Sequence, residues 1–407
     1  MSNWGSHLQR ASYMGFNWLY VNPLGFPGFS GSIYSIKDYY RMNPLFLDSS
    51  GRTEEEQLIQ MIERAHGYDL KVMFDLVINH TAIDSVLVKR HPDWYKRHED
   101  GSLKNPEVWE GDKRVAVWGD LAEINNDEAD DQSALWHYWE QLIQYYMGLG
   151  VDGFRCDAAY QVPSDLWKYL ISRAKEERSD VLFFAETLGC ETEDVIELAG
   201  AGFDLTFNSS KWWDFKEAWC LKQYRENMGL APTVSFAESH DTPRLAEEFA
   251  GDEAAIKQRI LFSTIFSTSV MMSLGVEFGF RRQVNVVKTL PRHWEPVQLD
   301  LVEFVRKVNA LKADRLFSQD NDIRQIDVGN PAIIALLKTE HDGQSKALIL
   351  LNTHRRKHEH VALNLSETLG FSLNRIQDRS VEYALADLPT ILDYHMRPSQ
   401  VMLFVGR

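Results

Sequence analysis

The sequence predicts an α/β protein whose main part is a (β/α)8 barrel and whose C-terminal part is an antiparallel β-sandwich. Three observations predict this fold. Short apolar runs alternate with amphipathic helical stretches up to about residue 311, which is typical of a parallel sheet with helices outside it. Polar and charged residues cluster where those runs end, as they do at the carboxyl-end face of a barrel. From about residue 313, strand-like runs follow one another without a long helix, which indicates antiparallel pairing.

Seven segments have the composition of buried strands, and four others have the apolar spacing of helices. The predicted strands are Asn17–Val21, Val72–Val77, Gly153–Asp157, Val181–Glu186, Phe203–Phe207, Thr233–Ala237 and Ser269–Met272. The predicted helices are Thr53–Ala65, Ser133–Met147, Ser164–Glu177 and Ile256–Phe266. Because a helical stretch around residues 4–14 precedes the first of only seven strands, we expect the barrel to lack its first strand. A doubly wound nucleotide-binding sheet is disfavoured, since neither GxGxxG nor GxxxxGK[ST] occurs.

Changes of pattern along the chain predict three domains. The barrel is expected over residues 1–312, an inserted domain over residues 81–131 within it, and the sandwich over residues 313–407. The insert is rich in charge and Trp but has too little apolar periodicity for a core of its own. Long irregular segments of this kind are usually lids or binding loops.

Composition excludes several classes of protein. The 407 residues include 43 Lys and Arg against 59 Asp and Glu, a net charge of −16, which disfavours nucleic acid and anionic membranes as partners. The three cysteines, Cys156, Cys190 and Cys220, form no CxxC pair, so a disulfide framework or a zinc site is not expected. The N-terminus lacks the pattern of a signal peptide and no long apolar segment follows, which predicts a cytoplasmic protein.

Three acidic residues, Asp157, Glu186 and Asp241, come at or just after predicted strand ends. Such positions converge at one mouth of a parallel barrel, and convergent carboxyl groups suit glycoside chemistry, in which one protonates the leaving oxygen and another attacks the sugar. Arg155 lies two residues before Asp157, on the same face of its strand. We expect Arg155 to keep Asp157 ionised, while a less charged environment keeps Glu186 protonated. Taken singly, an aspartate at a strand end is more often a helix cap or a member of an ion pair than a nucleophile.

Four polar motifs in a fixed order carry a resemblance to a known family. They are DLVINH (75–80), GFRCDAA (153–159), FFAETLG (183–189) and ESHDTPR (238–244). With NPLGFPGFSGSIYSIKDYY, WGDLAEIN (118–125) and LGVEFG (274–279) beside them, the chain resembles the α-amylase family of glycoside hydrolases and transglycosidases over essentially its whole length. The resemblance implies the TIM-barrel form of the (β/α)8 fold.

The resemblance also implies a mechanism and a substrate. Asp157 would be the nucleophile, Glu186 the general acid/base and Asp241 the transition-state stabiliser. Five further residues would line the reacting sugar: Tyr34, Asp75, His80, Arg155 and His240. The implied reaction is the retaining cleavage of α-1,4-glucosidic bonds in maltooligosaccharides or α-glucans, by hydrolysis as in α-amylases and α-glucosidases. Retention requires the two reacting carboxyl groups to lie roughly 5–5.5 Å apart.

Two alternatives to a hydrolase stay open. The segments HPDWYKRHEDGSLKNP and DNDIRQ are similar to the branch of maltose-1-phosphate-dependent glucan maltosyltransferases, which favours transglycosylation. Tyr160 and Gln161 replace the Lys-His pair with which amylases contact acceptor-side sugars. A non-catalytic barrel with an incomplete N-terminus is the other alternative.

No metal or cofactor is predicted as a requirement. Asn79 and Asp120 match positions that bind calcium in some relatives, but two oxygen ligands make a weak calcium site. We therefore expect calcium to be absent or optional.

Overall fold

A computed structural model of the chain describes residues 1–110, 113–190 and 192–407. The chain forms two compact units. The first contains residues 1–207 and 285–289, and the second contains residues 208–284 and 290–407.

The first unit is built on parallel strands that pair in chain order. These strands are Trp18–Val21, Lys71–Leu76, Gly153–Cys156, Leu182–Ala185 and Leu205–Phe207. Every residue of Gly153–Cys156 is buried, as expected for a strand of a parallel sheet that is covered on both faces. The helix Gly5–Tyr13 precedes the first of these strands. Other helices lie between strands: Glu54–His66, Val86–Arg90, Gln132–Gly148, Ser164–Glu177 and Thr192–Glu197.

The helix Glu54–His66 shows how local sequence sets an element boundary. The Thr53 side chain accepts a hydrogen bond from the Glu56 N–H, and the Glu56 carboxylate accepts one from the Thr53 N–H. This reciprocal capping box satisfies two amides that the first helical turn leaves without partners. The helix therefore begins one residue after the predicted start, because Thr53 is its cap, and it ends one residue beyond the predicted end.

Short antiparallel pairs that were not predicted occur in two connecting regions. Gly25–Pro27 pairs with Ile36–Met42 in the loop after the first strand. Within the insert, His80–Ala82 pairs with Leu121–Glu123 and Glu107–Glu110 pairs with Lys113–Val117. Four of these six strands have only three or four residues, which are too few to show an alternating pattern.

The second unit combines parallel and antiparallel strands. Thr233–Phe236 pairs in parallel with Ser269–Met271. Six helices lie in this unit: Trp219–Met228, Leu245–Glu248, Glu253–Phe266, Val302–Asn309, Arg315–Ser318 and Leu365–Leu369. The predicted helix Ile256–Phe266 thus begins three residues earlier, at Glu253, after Asp252 caps it through the Ala255 N–H.

The C-terminal part of the second unit has two antiparallel sheets. The larger contains, in spatial order, Asp322–Ile326, Ile333–Thr339, Lys346–Asn352, Val401–Gly406 and Ile376–Asp378. The smaller pairs Glu359–Asn364 with Ile391–Met396. Leu348 and Phe404 of the larger sheet and Val361 and Leu392 of the smaller share one buried cluster, so the two sheets pack face to face.

The structure confirms the predicted α/β class and the antiparallel C-terminal part. Closure of the barrel, its missing first strand and the domain bounds 1–312, 81–131 and 313–407 stay predictions. Within the described residues, no helix has the length and apolar character needed to cross a membrane.

Candidate active site

The carboxyl ends of three neighbouring strands hold four of the eight predicted site residues. Asp75 and Arg155 are register partners on adjacent parallel strands, so their side chains leave the sheet on the same face. Asp157 directly follows the strand Gly153–Cys156, and Glu186 directly follows Leu182–Ala185. Residues 80 positions apart in sequence are thereby brought into contact by the sheet alone.

The guanidinium of Arg155 lies at the centre of three carboxyl groups. Its Nη1 is 2.9 Å from Oδ1 of Asp75 and 2.6 Å from Oδ1 of Asp157. Its Nη2 is 3.7 Å from Oε2 of Glu186. Although burial acts to lower the pKa of Arg155, Asp75 and the other acidic groups hold it well above the ordinary range. Arg155 is therefore a buried cation.

Asp75 is completely enclosed by hydrogen-bond donors. Besides Arg155, the phenols of Tyr20 and Tyr34 donate to its Oδ2 at 2.5 and 2.6 Å. Burial raises the pKa of Asp75, although Arg155 and both phenols act to lower it. Because its side chain has no exposed surface, Asp75 holds Arg155 and the tyrosines in place and is closed to direct contact with solvent.

Glu186 is held by backbone amides. The N–H of Ala158 donates to its Oε2 at 2.9 Å, and the N–H of Leu188 donates to its Oε1 at 2.7 Å. Burial raises the pKa of Glu186, although Arg155 acts to lower it. A fixed carboxyl group with a raised pKa suits a general acid.

Asp157 is the most accessible carboxyl group of this cluster. Its side chain is 15% exposed, against 11% for Glu186 and none for Asp75. Its backbone N–H donates to the Leu76 carbonyl at 3.0 Å, which joins the end of its strand to the neighbouring one. Asp157 thus combines a fixed position with an oxygen that a bound molecule can reach.

His80 lies beside the tyrosine network. Its Nε2 is 3.2 Å from the backbone oxygen of Tyr34, and burial lowers the pKa of its imidazole. The ring is therefore neutral at pH 7, so it can donate one hydrogen bond and accept another.

The second unit holds the remaining two predicted residues. Nε2 of His240 lies 2.9 Å from Oδ2 of Asp241, whose side chain is 67% exposed. Directly before them, the buried carboxylate of Glu238 pairs with Arg244 at 2.9 Å and accepts the Leu245 N–H. Burial raises the pKa of Glu238 to about 7. The segment that presents His240 and Asp241 is thus tied to a buried ion pair.

The structure therefore brings six of the eight predicted residues into one cluster in the first unit and pairs the other two in the second. The six are Tyr34, Asp75, His80, Arg155, Asp157 and Glu186. Their roles in a reaction stay predictions.

Sequence reasoning missed Tyr20 and Asn22. Tyr20 donates to Asp75, and the Asn22 amide donates to the Tyr34 hydroxyl at 2.8 Å. The available signal was the alternation at the end of the first strand, where Tyr20 and Asn22 lie two residues apart and so on one face.

Few oxygen ligands for calcium come together among the described residues. Oδ1 of Asn79 is buried without a hydrogen-bond partner among them, as an oxygen ligand would be, while its amide nitrogen donates to Gln161. No group of three or more His, Cys, Asp or Glu suited to a metal occurs in the described part of the chain. Calcium prefers six to eight oxygen ligands, so the residues present do not by themselves fit this ion, and the expectation of absent or optional calcium stays a prediction.

The chain is similar to several proteins in curated collections. Residues 1–100 match the family described as glycogen debranching enzyme, glucanotransferase domain. The α-1,4-glucan:maltose-1-phosphate maltosyltransferase of Burkholderia pseudomallei is 24% identical over 86% of this chain and 31% of its own length. The enzyme of that name from Methylacidiphilum infernorum is 23% identical over 83% of this chain and 51% of its own length. A cyclomaltodextrinase of Geobacillus thermopakistaniensis is 22% identical over 85% of this chain and 60% of its own length.

The chain therefore spans only about a third to a half of the first two of these relatives. Solved structures match over more of their length. The crystal structure of an α-amylase from Lactobacillus plantarum has a TM-score of 0.78 and 22% identity, covering all of this chain and 94% of the other. The α-amylase from Geobacillus thermoleovorans complexed with acarbose has a TM-score of 0.77 and 16% identity, covering 99% of this chain and 91% of the other.

Proposed function

We infer, from the confirmed resemblance to the α-amylase family of glycoside hydrolases and transglycosidases, that this chain is a retaining enzyme of α-glucans. We propose that it hydrolyses α-1,4-glucosidic bonds of maltooligosaccharides through a covalent glycosyl-enzyme. Asp157 serves as nucleophile, Glu186 as general acid/base and Asp241 as transition-state stabiliser. Nucleic acid, membranes and a required metal have no part in the proposal, and a cytoplasmic location stays a prediction.

The observation that carries the proposal is the arrangement of three carboxyl groups around one guanidinium. A structural ion pair needs a single partner for Arg155, whereas Asp75, Asp157 and Glu186 all lie within 3.7 Å of it. Burying several carboxyl groups together is costly. A non-catalytic barrel has no physical reason to bear that cost, so the arrangement favours an enzyme.

In the first step, an oxygen of Asp157 attacks the anomeric carbon of the bound sugar. Arg155 donates to Oδ1 of Asp157 at 2.6 Å, which fixes the orientation of the carboxyl group. The attack expels the leaving-group oxygen, which takes the proton of Glu186. The bond from the sugar to Asp157 replaces the glycosidic bond, and charge develops on the ring as in an oxocarbenium ion.

In the second step, Glu186 acts as a base. Having lost its proton, it accepts one from a water molecule, and the water oxygen attacks the glycosyl-enzyme and releases Asp157. The amides of Ala158 and Leu188 hold the Glu186 carboxyl group in position. Because burial raises the pKa of Glu186, the acid form persists at higher pH than for an exposed glutamic acid, and activity should fall as the pH rises through that value.

The remaining residues are proposed to bind the reacting sugar. The neutral imidazole of His80 donates its Nε2 N–H to the Tyr34 carbonyl, so its Nδ1 can accept a hydrogen bond from a sugar hydroxyl. The ring of Tyr34, held by its hydroxyl on Asp75, offers an apolar face to the sugar. Asp241, with its exposed carboxylate oriented by His240, supplies negative charge to the cationic transition state.

Transglycosylation is the second candidate function. Two of the relatives are named as glucan maltosyltransferases. The acceptor-side position Gln161 is occupied in a hydrogen bond with Asn79 and differs from the amylase pattern. Hydrolysis and transfer share the same first step and differ only in what resolves the glycosyl-enzyme.

Product analysis by NMR tests the proposal and separates these candidates. We expect the unchanged chain to cleave maltoheptaose and to release the α-anomer first, as retention requires. Asp157→Asn should lower the rate roughly a thousandfold or more, because the nucleophile is lost. Chain lengthening, especially with maltose 1-phosphate present, would identify a transferase.

The matched control is Asp69→Asn, which makes the same isosteric change at an exposed aspartate of the same unit and should leave the rate unchanged. Equal absence of products from the unchanged chain and from Asp157→Asn would refute the enzyme proposal. Initial release of the β-anomer would refute the retaining mechanism.

A further inference from the structure

Asp241 lies in the middle of a loop whose two ends are bound to each other. The loop follows the strand Thr233–Phe236, and Glu238 and Arg244 lie three residues on either side of Asp241. Nη1 of Arg244 lies 2.9 Å from Oε1 of Glu238. The N–H of the next residue, Leu245, donates to Oε2 of the same carboxylate at 2.6 Å. One buried carboxylate therefore closes the loop that presents Asp241.

Two hydrogen bonds stabilise the inside of this loop. The Ser239 N–H donates to Oγ1 of Thr242 at 2.9 Å, and the Asp241 N–H donates to Oγ of Ser239 at 3.2 Å. Ser239 and Thr242 are each 5% exposed, whereas the side chain of Asp241 is 67% exposed. The loop thus has a buried, hydrogen-bonded base and carries the Asp241 carboxylate at its exposed end.

Arg244 also joins this loop to the LGVEFG motif, to which the proposed reaction gives no role. Its Nη2 donates to the Leu274 carbonyl at 3.0 Å, and its guanidinium lies 6.0 Å from the centre of the Phe280 ring. Glu238 and Arg244 are 1% and 2% exposed, so solvent screens their attraction little. The loop is therefore fixed both to itself and to a segment 30 residues further along the chain.

Gly275 leaves the space that the Arg244 side chain occupies. A Cβ at position 275 would lie 2.6 Å from Nη2 of Arg244 and would also collide with the ring of Phe280. The φ of Gly275 is 97°, a conformation that favours glycine as well. The backbone of the LGVEFG motif is thus shaped around this guanidinium.

A buried ion pair of this kind is better suited to fixing geometry than to stabilising the fold. The cost of removing both charges from water largely offsets their attraction, so apolar residues would often stabilise the chain as well. The planar guanidinium, however, binds its partners only in set directions. Between Glu238 and Arg244, those directions determine where the Asp241 carboxylate lies.

We propose that Glu238 and Arg244 are positioning residues, which hold Asp241 where it stabilises the transition state. Both are buried, so they act through the loop and do not touch the sugar. The proposal rests on the proposed function, which gives Asp241 its role. Because that role concerns the transition state more than the bound substrate, loosening the loop should lower kcat and leave KM nearly unchanged.

The double variant Glu238→Gln with Arg244→Met tests this role. It removes both charges together, so no unpaired charge stays buried and the chain should still fold. On maltoheptaose, we expect kcat to fall roughly tenfold to a hundredfold, since a displacement of about 1 Å can cause such a loss, while KM changes less than about threefold. Amide hydrogen exchange of residues 238–245, measured by mass spectrometry, should become faster in the same variant.

The matched control is Glu140→Gln with Arg173→Met, in the first unit. It removes another buried glutamate together with its arginine partner, whose Nε lies 2.9 Å from Oε1 of Glu140. This variant should keep the kcat of the unchanged chain even if its thermal midpoint is lower. An equal fall of kcat in the two double variants would show a general effect of stability and would overturn the proposal.

A single added methyl group tests the same contact with both charges kept. Gly275→Ala presses on the Arg244 guanidinium, and we expect it to lower kcat at least about threefold without a matching change in KM. Gly329→Ala is its control, because Gly329 also has a left-handed φ, 73°, but a Cβ there would meet no atom of the described residues within 4 Å. Equal values of kcat in these two variants would contradict the role of Arg244.

The positioning role and the proposed function fail in different ways. If the unchanged chain forms product and the Glu238→Gln, Arg244→Met variant keeps its kcat, the positioning role is refuted and the proposed function stands. If the unchanged chain forms no product, the proposed function is refuted, and faster exchange of residues 238–245 in the variant would still show that the pair holds the loop. Unchanged exchange would refute that hold in either case.

Discussion

At the scale of single residues, the feature that organises the candidate active site is the set of donors around Asp75. Burial raises the pKa of the Tyr20 phenol well above its ordinary range, so its hydroxyl remains protonated and donates to Asp75 at 2.5 Å. Asp75 in turn accepts from Arg155, which binds the proposed nucleophile. Tyr20 is thus a positioning residue, which Asp75 and Arg155 separate from the reacting carboxyl group.

Tyr20→Phe should lower kcat roughly tenfold or more and change KM less. The reason is that a hydrogen bond to a charged group contributes about 1.5–3 kcal/mol, and its loss lets Asp75 and Arg155 shift away from the geometry that the transition state requires. Initial rates on maltoheptaose as a function of concentration give both constants.

Tyr224→Phe is the control for this prediction, because it removes a buried tyrosine hydroxyl that donates to the Asn321 carbonyl in the second unit. It should reduce stability without changing kcat. An equal fall of kcat in both variants would mean that Tyr20 acts only through stability.

At the scale of elements, the turn after the strand Gly153–Cys156 positions both proposed catalytic groups. Ala158 has φ 40° and ψ 52°, a left-handed conformation that costs a residue with a Cβ about 1–2 kcal/mol. The turn is held to the next strand, where the Ala159 N–H donates to the Glu186 carbonyl at 3.0 Å. This strained conformation directs the Ala158 N–H at the Glu186 carboxyl group, to which it donates a hydrogen bond.

Ala158→Gly should therefore keep its activity and raise the free energy of unfolding by up to about 1 kcal/mol, since the relief of strain exceeds the added entropy of the unfolded chain. Urea unfolding and the rate on maltoheptaose measure the two effects. The neighbouring Ala159→Gly should instead destabilise, because Ala159 is fully buried and loses a packed methyl group. Equal losses in both variants would contradict the strain at Ala158.

At the scale of the whole chain, buried charges join segments that are distant in sequence. Lys338, on the antiparallel strand Ile333–Thr339, donates to the carbonyls of Ile265 and Phe266 at 3.1 and 2.8 Å. These carbonyls end the helix Glu253–Phe266, where no helical N–H remains to bind them. Lys338 therefore fastens the C-terminal sheet to the end of a helix more than 70 residues earlier in the second unit.

The same buried ammonium should make stability depend on pH. Burial lowers the pKa of Lys338 to about 7, although Asp320 acts to raise it. Between that pH and the ordinary lysine value, the unfolded chain binds a proton that the folded chain does not, so the free energy of unfolding should rise with pH. Lys338→Met should flatten this rise between pH 7 and about pH 9 in urea unfolding.

Lys307→Met, at an exposed lysine of the helix Val302–Asn309, is the control and should keep the slope of the parent chain. If Lys338→Met kept that slope as well, Lys338 would not titrate in this interval. Lys312, whose ammonium donates to the carbonyls of Ser267, Thr268 and Phe317, would then be the next group to replace.

The sequence predictions were most accurate for features that depend on interactions between residues close together in the chain. The helices Glu54–His66 and Ser164–Glu177 lie within one residue of their predicted bounds, because periodicity and capping act over a few neighbouring residues. Asp75, Arg155, Asp157 and Glu186 were predicted from motifs at strand ends, and parallel pairing brings them together. Short strands such as His80–Ala82 were missed because three residues show no period.

By itself, the sequence determined the alternation of strands and helices, the antiparallel C-terminal part and the acidic residues that end the parallel strands. Only the tertiary structure decided that Tyr20 would bind Asp75, that two backbone amides would hold Glu186, and that Arg244 would bind the Leu274 carbonyl. The first group depends on periodicity and on local hydrogen bonds, which involve residues only a few positions apart in the chain. The second depends on distances between segments far apart in the chain, and those distances exist only once the sheets have paired and packed.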